Sequence, residues 1–349
     1  MLLLLLILFY FLCIYRVDVK KIGYHEDYLS KNKTDSIKGI FIIIVLLKHA
    51  MGYLNGLGYE YEALGDNYFV WLTCSLAQLI VVMFLFYSGY GVGESFKKKG
   101  DDYVRSLPRH RILTTLLNFD VAVLVFIIMG AMLGNPVSPQ QGFLSLTGWV
   151  SAGNSNWYIF VILLCYVMTW VVIRMAMNHA WQRSVMLFAM CLVCLLLLSV
   201  YKESFWYDTI LTYPMGFLFS TYKESIERFI KKHYWTTLGV LTVLFLVQFV
   251  GYYFGYYTDK FSLTFNFYSI TFALWVVVLT MKLGIDNKPL QWFGKNLFPI
   301  YIYMRIPMIL LVEWQPGFVL MQPAMFIVIS LISTSLIAYF YHYWQIKLK

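Results

Sequence analysis

Long apolar runs recur along the whole 349-residue chain and restrict its fold more than any other feature. Most are about 17 to 25 residues long, the length that an α-helix needs to cross the hydrocarbon core of a bilayer. A run such as "VMLFAMCLVCLLLLSV" (residues 185–200) is apolar at almost every position, whereas a strand of a membrane β-barrel would alternate apolar and polar residues. The sequence therefore predicts an all-α fold, a polytopic bundle of membrane-spanning helices.

Apolar stretches and turn residues together predict about eleven transmembrane helices. The predicted spans begin near Met1, Ile37, Phe69, Ile112, Asn156, Val185, Thr209, Tyr234, Phe265, Asn296 and Gln322. The seventh span is short and contains Pro214 and Gly216, so we expect a broken or re-entrant helix there.

Basic residues predict the orientation of the bundle in the membrane. If the N-terminus lies outside, all but four of the 27 Lys and Arg residues fall in cytoplasmic connections, as the positive-inside rule requires. The four exceptions are Lys48, Lys202, Lys260 and Arg305. We therefore expect a cytoplasmic C-terminus and a location in a cell membrane, such as a bacterial inner or plasma membrane. Because the net charge of +9 follows from this topology, it gives no reason to expect nucleic-acid binding.

The cysteines lie within apolar runs, where a small polarizable side chain packs well. Cys191 and Cys194 form a C-x-x-C pair, but neither a second pair nor a histidine lies close to them in the sequence. We therefore expect neither a metal site nor a redox function.

The second predicted span carries two lysines and a histidine in otherwise apolar sequence. Lys38 lies near the inner end of this helix, and His49 follows eleven residues later, about 16 Å further along the helix axis. Eleven residues also return the helix to nearly the same face, so both side chains belong to one stripe. Ionisable groups at this depth are costly and usually functional, so we predict that His49 lines a polar cavity open toward the inner face. Lys48 is expected to snorkel or to face a different cavity.

Two further ionisable groups, Asp120 and Arg305, are predicted at a similar depth. Asp120 lies nine residues beyond Arg111 and Arg305 lies ten beyond Lys295, which places both roughly 13 to 15 Å from the inner face. We expect both to share the cavity of His49, with Asp120 either orienting the imidazole or neutralising Arg305. The alternative is a purely structural Asp120–Arg305 pair, with His49 bonded to a neighbouring helix.

A cluster of cations is predicted at the inner mouth of this cavity. Arg109 and Arg111 directly precede an apolar helix, beyond Pro108, and this position should hold their guanidinium groups at the mouth. Arginine suits bidentate capture of phosphate. Together with Lys38, these side chains would bind a polyanion on the cytoplasmic side, and His49 would act on a group that a long arm connects to it.

Four segments together resemble a known family of membrane proteins. In "KGIFIIIVLLKH" (Lys38–His49), a basic residue, ten intervening residues and a histidine match a motif of that family, with lysine in place of its arginine. "FLFYSGYGVGESF" (Phe84–Phe96), "NWYIFVILLCY" (Asn156–Tyr166) and "WFGKNLFPIYIYMRIPM" (Trp292–Met308) follow in the family's order. The chain thus resembles the membrane-bound acyltransferase-3 family.

The resemblance implies a core of ten helices and an acyl-transfer reaction. We accordingly divide the chain into an N-terminal anchor helix with its cytoplasmic connection (residues 1–35) and a ten-helix membrane acyltransferase domain (residues 36–349). The implied reaction moves an acyl group, commonly acetyl, from cytoplasmic acetyl-CoA to a hydroxyl of a cell-surface or lipid-linked glycan. The implied co-substrate is therefore acetyl-CoA, without a metal.

Roles for the donor side and for catalysis follow from this interpretation. His49 would be the general base, and either Arg305 would stabilise the developing oxyanion or Asp120 would fix the tautomer of the imidazole. The residues expected to bind the acetyl-CoA donor are Lys38, Ser88, Arg109 and Arg111.

The acceptor is expected to approach from outside, along residues 135–156 and 251–268. Trp157 and Tyr158 open a helix in the matched motif, so we expect these two side chains to contact it. The expected partners are the glycan or lipid-linked saccharide acceptor and membrane lipids, and a homo-oligomer stays open.

Other classes of membrane protein share some of these features. A transporter or flippase for lipid-linked glycans also has many spans and buried charges, but it favours inverted repeats and charges along the full membrane depth. A glycan polymerase or ligase usually places its arginines outside. A purely structural membrane subunit gives no reason for several ionisable groups deep in the bilayer.

Overall fold

A computed structural model describes residues 2–63, 65–76, 78–175, 179–255 and 262–348. The helices are α1 (Leu2–Ile14), α2 (Lys31–Gly56), α3 (Asp66–Ser75), α4 (Leu79–Lys99), α5 (Asp101–Leu107), α6 (Thr114–Met132), α7 (Pro139–Leu146), α8 (Trp157–Arg174), α9 (Ala180–Tyr201), α10 (Thr212–Thr221), α11 (Lys223–Lys232), α12 (Tyr234–Tyr253), α13 (Leu263–Thr280), α14 (Lys288–Lys295), α15 (Leu297–Tyr303), α16 (Arg305–Trp314), α17 (Pro316–Met321) and α18 (Pro323–Trp344). A π-helix (Pro108–Leu113) joins α5 to α6, a short 3₁₀ helix covers Ser204–Trp206, and the strands are β1 (Val17–Val19) and β2 (Leu283–Ile285).

The helical content confirms the predicted polytopic bundle. Within the described ranges, nine helical stretches are long and apolar enough to cross a membrane, and they correspond to all predicted spans except the first and the seventh. The first is α1, with 13 residues, and the seventh is α10, with 10 residues including Pro214 and Gly216. Apolar side chains remain exposed along α9, α12 and α18, as expected for surfaces that face lipid.

Helix α2 lies in the interior of the bundle and packs against α3, α4, α14 and α15. Two glycines allow α14 to approach it closely. A Cβ atom on Gly39 would overlap the backbone of Leu290, and one on Gly294 would overlap the backbone of Asp35. This contact brings the basic end of α14 beside Lys38. A similar contact joins α4 to the buried α10, because a Cβ atom on Gly89 would overlap the backbone of Tyr213 and one on Gly216 would overlap the backbone of Phe86.

The N-terminal segment is connected to the rest of the bundle by backbone pairing. Strand β1 pairs with β2 in an antiparallel sheet, with Val17 opposite Ile285. The side-chain amide of Asn287 donates to the carbonyl oxygens of Leu12 and Tyr15, which lie at the end of α1. Such short strands carry little pattern of their own, and the apolar runs around them gave no signal for a sheet.

Candidate active site

His49 lines a cavity of about 390 Å³ inside the helical bundle, which we call the His49 cavity. Its lining residues are Val45, Lys48, His49, Gly52, Tyr53, Gln78, Ile80, Val81, Trp157, Tyr301 and Arg305. Helix α2 contributes five of them, Val45, Lys48, His49, Gly52 and Tyr53. They are one, three or four residues apart, which puts them on a single face of the helix. Among these described lining residues, two have basic side chains, Lys48 and Arg305, and none is acidic.

The imidazole of His49 contacts a serine from the connection that precedes α8. Its Nε2 lies 3.4 Å from Oγ of Ser155, which is 5% exposed. The connection has a fixed local structure, because the side chain of Asn156 donates to the carbonyl oxygen of Gly148 at 2.7 Å. Gly153 has φ = 104°, a conformation that side chains other than glycine's rarely adopt.

Arg305 lies where the last part of the sequence motif changes from α15 to α16. Pro307 has no N–H to donate to the carbonyl of Tyr303, so the helix is interrupted here. The guanidinium donates from Nε to the hydroxyl of Tyr53 at 2.9 Å and from Nη1 to the carbonyl oxygen of Asn154 at 3.2 Å. Both acceptors are neutral, and no ion pair of Arg305 occurs among the described residues.

Asp120 does not join His49 and Arg305, contrary to the sequence prediction. It lines a separate, mostly apolar pocket between α6, α7 and α8, together with Phe143 and Phe160. Its Oδ1 is buried and has no hydrogen-bond partner in the part of the chain that the structure describes. Counting residues from the inner face estimates depth, but it does not fix the azimuth of a side chain, and α6 turns Asp120 away from the His49 cavity.

A second cavity, of about 670 Å³, contains most of the predicted donor-binding residues. We call it the basic cavity because Lys31, Lys38, Arg111 and Lys295 line it, together with Ser88 and the aromatic residues Phe84, Tyr87, Tyr90, Tyr158 and Phe298. Nζ of Lys38 lies 2.6 Å from Oδ1 of Asp35, so its charge is shared with a carboxylate. Arg111 lies with its Cζ 6.0 Å from the centre of the Tyr166 ring.

Besides Asp120, two predicted site residues lie elsewhere than expected. Arg109 is exposed and does not line the basic cavity, because residues two apart on a helix point to nearly opposite sides. Tyr158 lines the basic cavity, not the route predicted for the acceptor, while Trp157 lines the His49 cavity. Adjacent helical residues differ by about 100° in direction, so the two halves of this pair face different cavities.

An aromatic layer separates the two cavities. The rings of Tyr158 and Tyr301 lie 5.4 Å apart, and those of Tyr158 and Phe84 lie 6.0 Å apart, both at steep angles. All three side chains are buried. The sequence predicted a continuous opening from the inner face to His49, and the structure instead divides this route at the aromatic layer.

One known protein family matches the sequence of this chain. The profile of the acyltransferase-3 family, described as an acyltransferase domain, matches residues 32–343, which is most of the chain. The chain belongs to the acyltransferase-3 family. Comparison with curated proteins and with solved structures gives no match. The protein is therefore an acyltransferase with the helices of a membrane protein.

Several residues of the candidate site had no role in the sequence prediction. Tyr53 lies four residues beyond His49 on the same helical face, so its position was implied by spacing alone. Lys48 lines the His49 cavity as well, although it was expected to snorkel or to face a different cavity. Ser155 and Tyr301 approach His49 and Tyr158 only through tertiary packing, for which the sequence pattern gave no signal.

Lys202, one of the cations expected outside, holds the connection before α8 in this acyltransferase. Its Nζ lies 3.8 Å from the ring centre of Trp149 and 4.3 Å from that of Trp206, and it donates to the carbonyl oxygen of Trp149. Burial lowers the pKa of Lys202 below its usual value. Lys260 and Lys349, and residues 256–261 of the second expected acceptor segment, lie outside the described residues.

Proposed function

We propose that this acyltransferase is an integral membrane O-acetyltransferase. It would move an acetyl group from cytoplasmic acetyl-CoA to a hydroxyl group of a cell-surface or lipid-linked glycan, with His49 as general base. The protein would lie in a cell membrane, such as a bacterial inner or plasma membrane, with the basic cavity open to the cytoplasm.

The basic cavity fits the charged part of the donor. CoA carries several phosphate groups, and four cationic side chains line this cavity, of which Arg111 offers a planar fork for a phosphate. Lys38 contributes less than a free lysine would, since Asp35 shares its charge. Ser88 adds a neutral hydroxyl donor on the wall that α4 provides.

The His49 cavity fits the chemistry of the transfer. The imidazole of His49 can accept the proton of the attacking hydroxyl, while the hydroxyl oxygen forms a bond to the thioester carbonyl carbon. The carbon–sulfur bond then breaks, and CoA leaves as the thiol once it takes up a proton. Arg305, whose hydrogen-bond acceptors are neutral, would stabilise the negative charge that develops on the carbonyl oxygen.

The acceptor would enter the His49 cavity from the side opposite the basic cavity. Trp157 lines the His49 cavity and offers a flat apolar face of the kind on which sugar rings stack. The thioester end of the donor must pass from the basic cavity into the His49 cavity. This passage requires the aromatic layer to open, because Tyr158, Tyr301 and Phe84 lie between the two cavities.

One observation supports the proposal most directly. A single helix, α2, carries both Lys38 in the basic cavity and His49 in the other cavity, about 16 Å apart along its axis. This separation suits a donor whose phosphates bind at one site while its thioester reacts at another. The family match supports the acyl-transfer reaction but leaves the acetyl group and the glycan to be tested.

The proposal is tested with the purified protein in liposomes. Acetyl-CoA is supplied on the side of the basic cavity, candidate glycans on the other side, and thiol release is followed with a colour reagent. We expect continuous thiol release over many turnovers that depends on a glycan, together with acetyl ester in the glycan product. Release without a glycan product, or no release with any acyl-CoA, would count against the O-acetyltransferase assignment.

The same liposomes distinguish the flippase alternative. A flippase would move a fluorescent lipid-linked glycan between the leaflets without releasing thiol from acetyl-CoA. An acetyltransferase would release thiol and leave the leaflet distribution of the lipid unchanged.

A further inference from the structure

The hydroxyl group of the buried Ser155 contacts a histidine. The hydroxyl groups of Ser36, Ser145 and Ser184 each donate to the backbone carbonyl four residues earlier in their own helices, Ser220 donates to Glu94 and Ser269 donates to the carbonyl oxygen of Asp208. Ser155 lies outside a helix, and within the described ranges its hydroxyl oxygen lies 3.4 Å from Nε2 of His49. A serine hydroxyl beside an imidazole is the arrangement of an activated nucleophile, and such contacts are often longer without substrate.

The surroundings of Ser155 fix its position and supply a positive charge. The carbonyl oxygen of Asn154, the preceding residue, accepts from Ser151 Oγ at 2.7 Å and from Arg305 Nη1 at 3.2 Å. The backbone N–H of Gly153 donates to Ser151 Oγ at 3.0 Å, which closes a tight turn. Arg305 lines the His49 cavity, and its guanidinium contacts the residue that precedes Ser155, while Ser155 contacts His49 itself.

We propose that Ser155 is the nucleophile of a two-step reaction and carries the acyl group as a covalent intermediate. This inference rests on the proposed function and deepens it, because it states how donor and acceptor are connected. In this arrangement His49 activates Ser155 first and the acceptor hydroxyl second.

In the first step, Nε2 of His49 takes the proton of the Ser155 hydroxyl, and Oγ forms a bond to the carbonyl carbon of the thioester. The carbon–sulfur bond breaks, the sulfur takes the proton from His49, and CoA leaves as the thiol. In the second step, His49 takes the proton of the acceptor hydroxyl, whose oxygen bonds to the same carbonyl carbon. The bond to Oγ of Ser155 breaks, Oγ takes the proton back, and the acetylated acceptor leaves. No oxidant, metal or further reactant enters either step.

The shape of the site favours two successive steps over a single direct transfer. The His49 cavity has a volume of about 390 Å³, near the lower end of the range for small-molecule sites. In a direct transfer it would hold the thioester end of the donor and a sugar at the same time. With Ser155 as carrier, the pantetheine arm withdraws past the aromatic layer of Phe84, Tyr158 and Tyr301 before the acceptor binds.

The test is to trap the intermediate in the absence of an acceptor. Purified protein in detergent is mixed with acetyl-CoA alone, quenched in acid, digested and analysed by mass spectrometry. We expect one acetyl group on Ser155, with a burst of about one thiol per protein molecule. Ser155→Ala should lose both the label and the burst, and it should lower transfer to a glycan by at least about 100-fold.

Two further variants guard against a purely structural effect. Ser155→Cys should accumulate a thioester that hydroxylamine cleaves, even if its turnover is slow. Ser145→Ala is the matched control, because this buried serine donates to the backbone carbonyl of Gln141, whereas Ser155 contacts His49. The label and the burst of Ser145→Ala should equal those of the unmodified protein.

The outcomes separate this inference from the proposed function. Thiol release that requires a glycan, without label on Ser155, would overturn the covalent intermediate and leave the acetyltransferase intact. A label on His49 or another residue would overturn it as well. If the protein releases no thiol under any condition, both the proposed function and this inference are wrong.

Discussion

At the scale of single residues, the depth of a charged side chain was predictable and its direction was not. Lys38, His49 and Arg305 line the cavities that their depth suggested, whereas Asp120 and Arg109 lie on other faces of their helices. Direction decides which charges act together, because a helix turns by about 100° at each residue. The pair Arg109 and Arg111 therefore offers a matched comparison within one short segment.

Replacement of Arg111 by glutamine is expected to weaken donor binding. Loss of a charge-assisted hydrogen bond to phosphate costs about 1.5 to 3 kcal/mol, or roughly a 10-fold to 100-fold increase in KM for acetyl-CoA with kcat nearly unchanged. Steady-state kinetics with a saturating acceptor measure this. Arg109→Gln should change KM less than about twofold, since Arg109 is exposed outside the basic cavity. Equal effects of the two substitutions would contradict the assignment of the cavity.

Replacement of Arg305 by glutamine is expected to act on kcat. If its guanidinium stabilises the oxyanion, its loss should lower kcat by about 10²-fold to 10³-fold with little change in KM. Tyr53→Phe, which removes only one acceptor of Arg305, should cost less, about fivefold, since one neutral hydrogen bond is worth about 1 kcal/mol. A rise in KM alone after Arg305→Gln would show that Arg305 binds substrate without stabilising the transition state.

At the scale of structural elements, three short features position the site. The π-helix Pro108–Leu113 precedes α6, the interruption between α15 and α16 places Arg305, and the ordered connection before α8 places Ser155. None of these features has a strong periodic pattern. The aromatic layer depends likewise on three helices, α4, α8 and α15, which meet only in the folded bundle.

The aromatic layer is expected to restrict the passage between the two cavities. Tyr158→Leu removes the ring that contacts both Phe84 and Tyr301, so water and donor should meet more freely at His49. We expect thiol release without acceptor to rise several-fold in a hydrolysis assay. Tyr158→Phe, which keeps the ring, should behave like the unmodified protein. If Tyr158→Leu lowered this background hydrolysis, the layer would not be a barrier.

The contact of α2 with α14 is expected to be sensitive to a single methyl group. Gly39→Ala places a Cβ against the backbone of Leu290, which cannot rotate away, so we expect a loss of about 3 kcal/mol in unfolding free energy. Thermal unfolding in detergent measures it. Gly239→Ala on the exposed α12 meets no atom within 4 Å and serves as the control, with unchanged or slightly higher stability. Similar melting temperatures for both variants would show that α2 and α14 can separate at little cost.

At the scale of the whole molecule, hydropathy was sufficient for the architecture. The starts of nine predicted spans correspond to long apolar helical stretches, because burial in lipid imposes the length and composition of each one. The short α10 was foreseen from Pro214 and Gly216, but the β1–β2 sheet and the layer between the cavities were not. Those features depend on contacts between residues far apart in sequence, and apolar runs do not encode them.

The whole arrangement depends on the imidazole of His49 as the base that takes a proton from a hydroxyl group. The most direct measurement is kcat for acetyl transfer by His49→Gln, which keeps the size and a polar end but lacks the basic nitrogen. We predict that kcat falls by about 10²-fold to 10⁴-fold while KM for acetyl-CoA is unchanged. His110→Gln, which replaces an exposed histidine, is the control and should have full activity. A His49→Gln protein that folds and transfers acetyl at the rate of the unmodified protein would contradict the account.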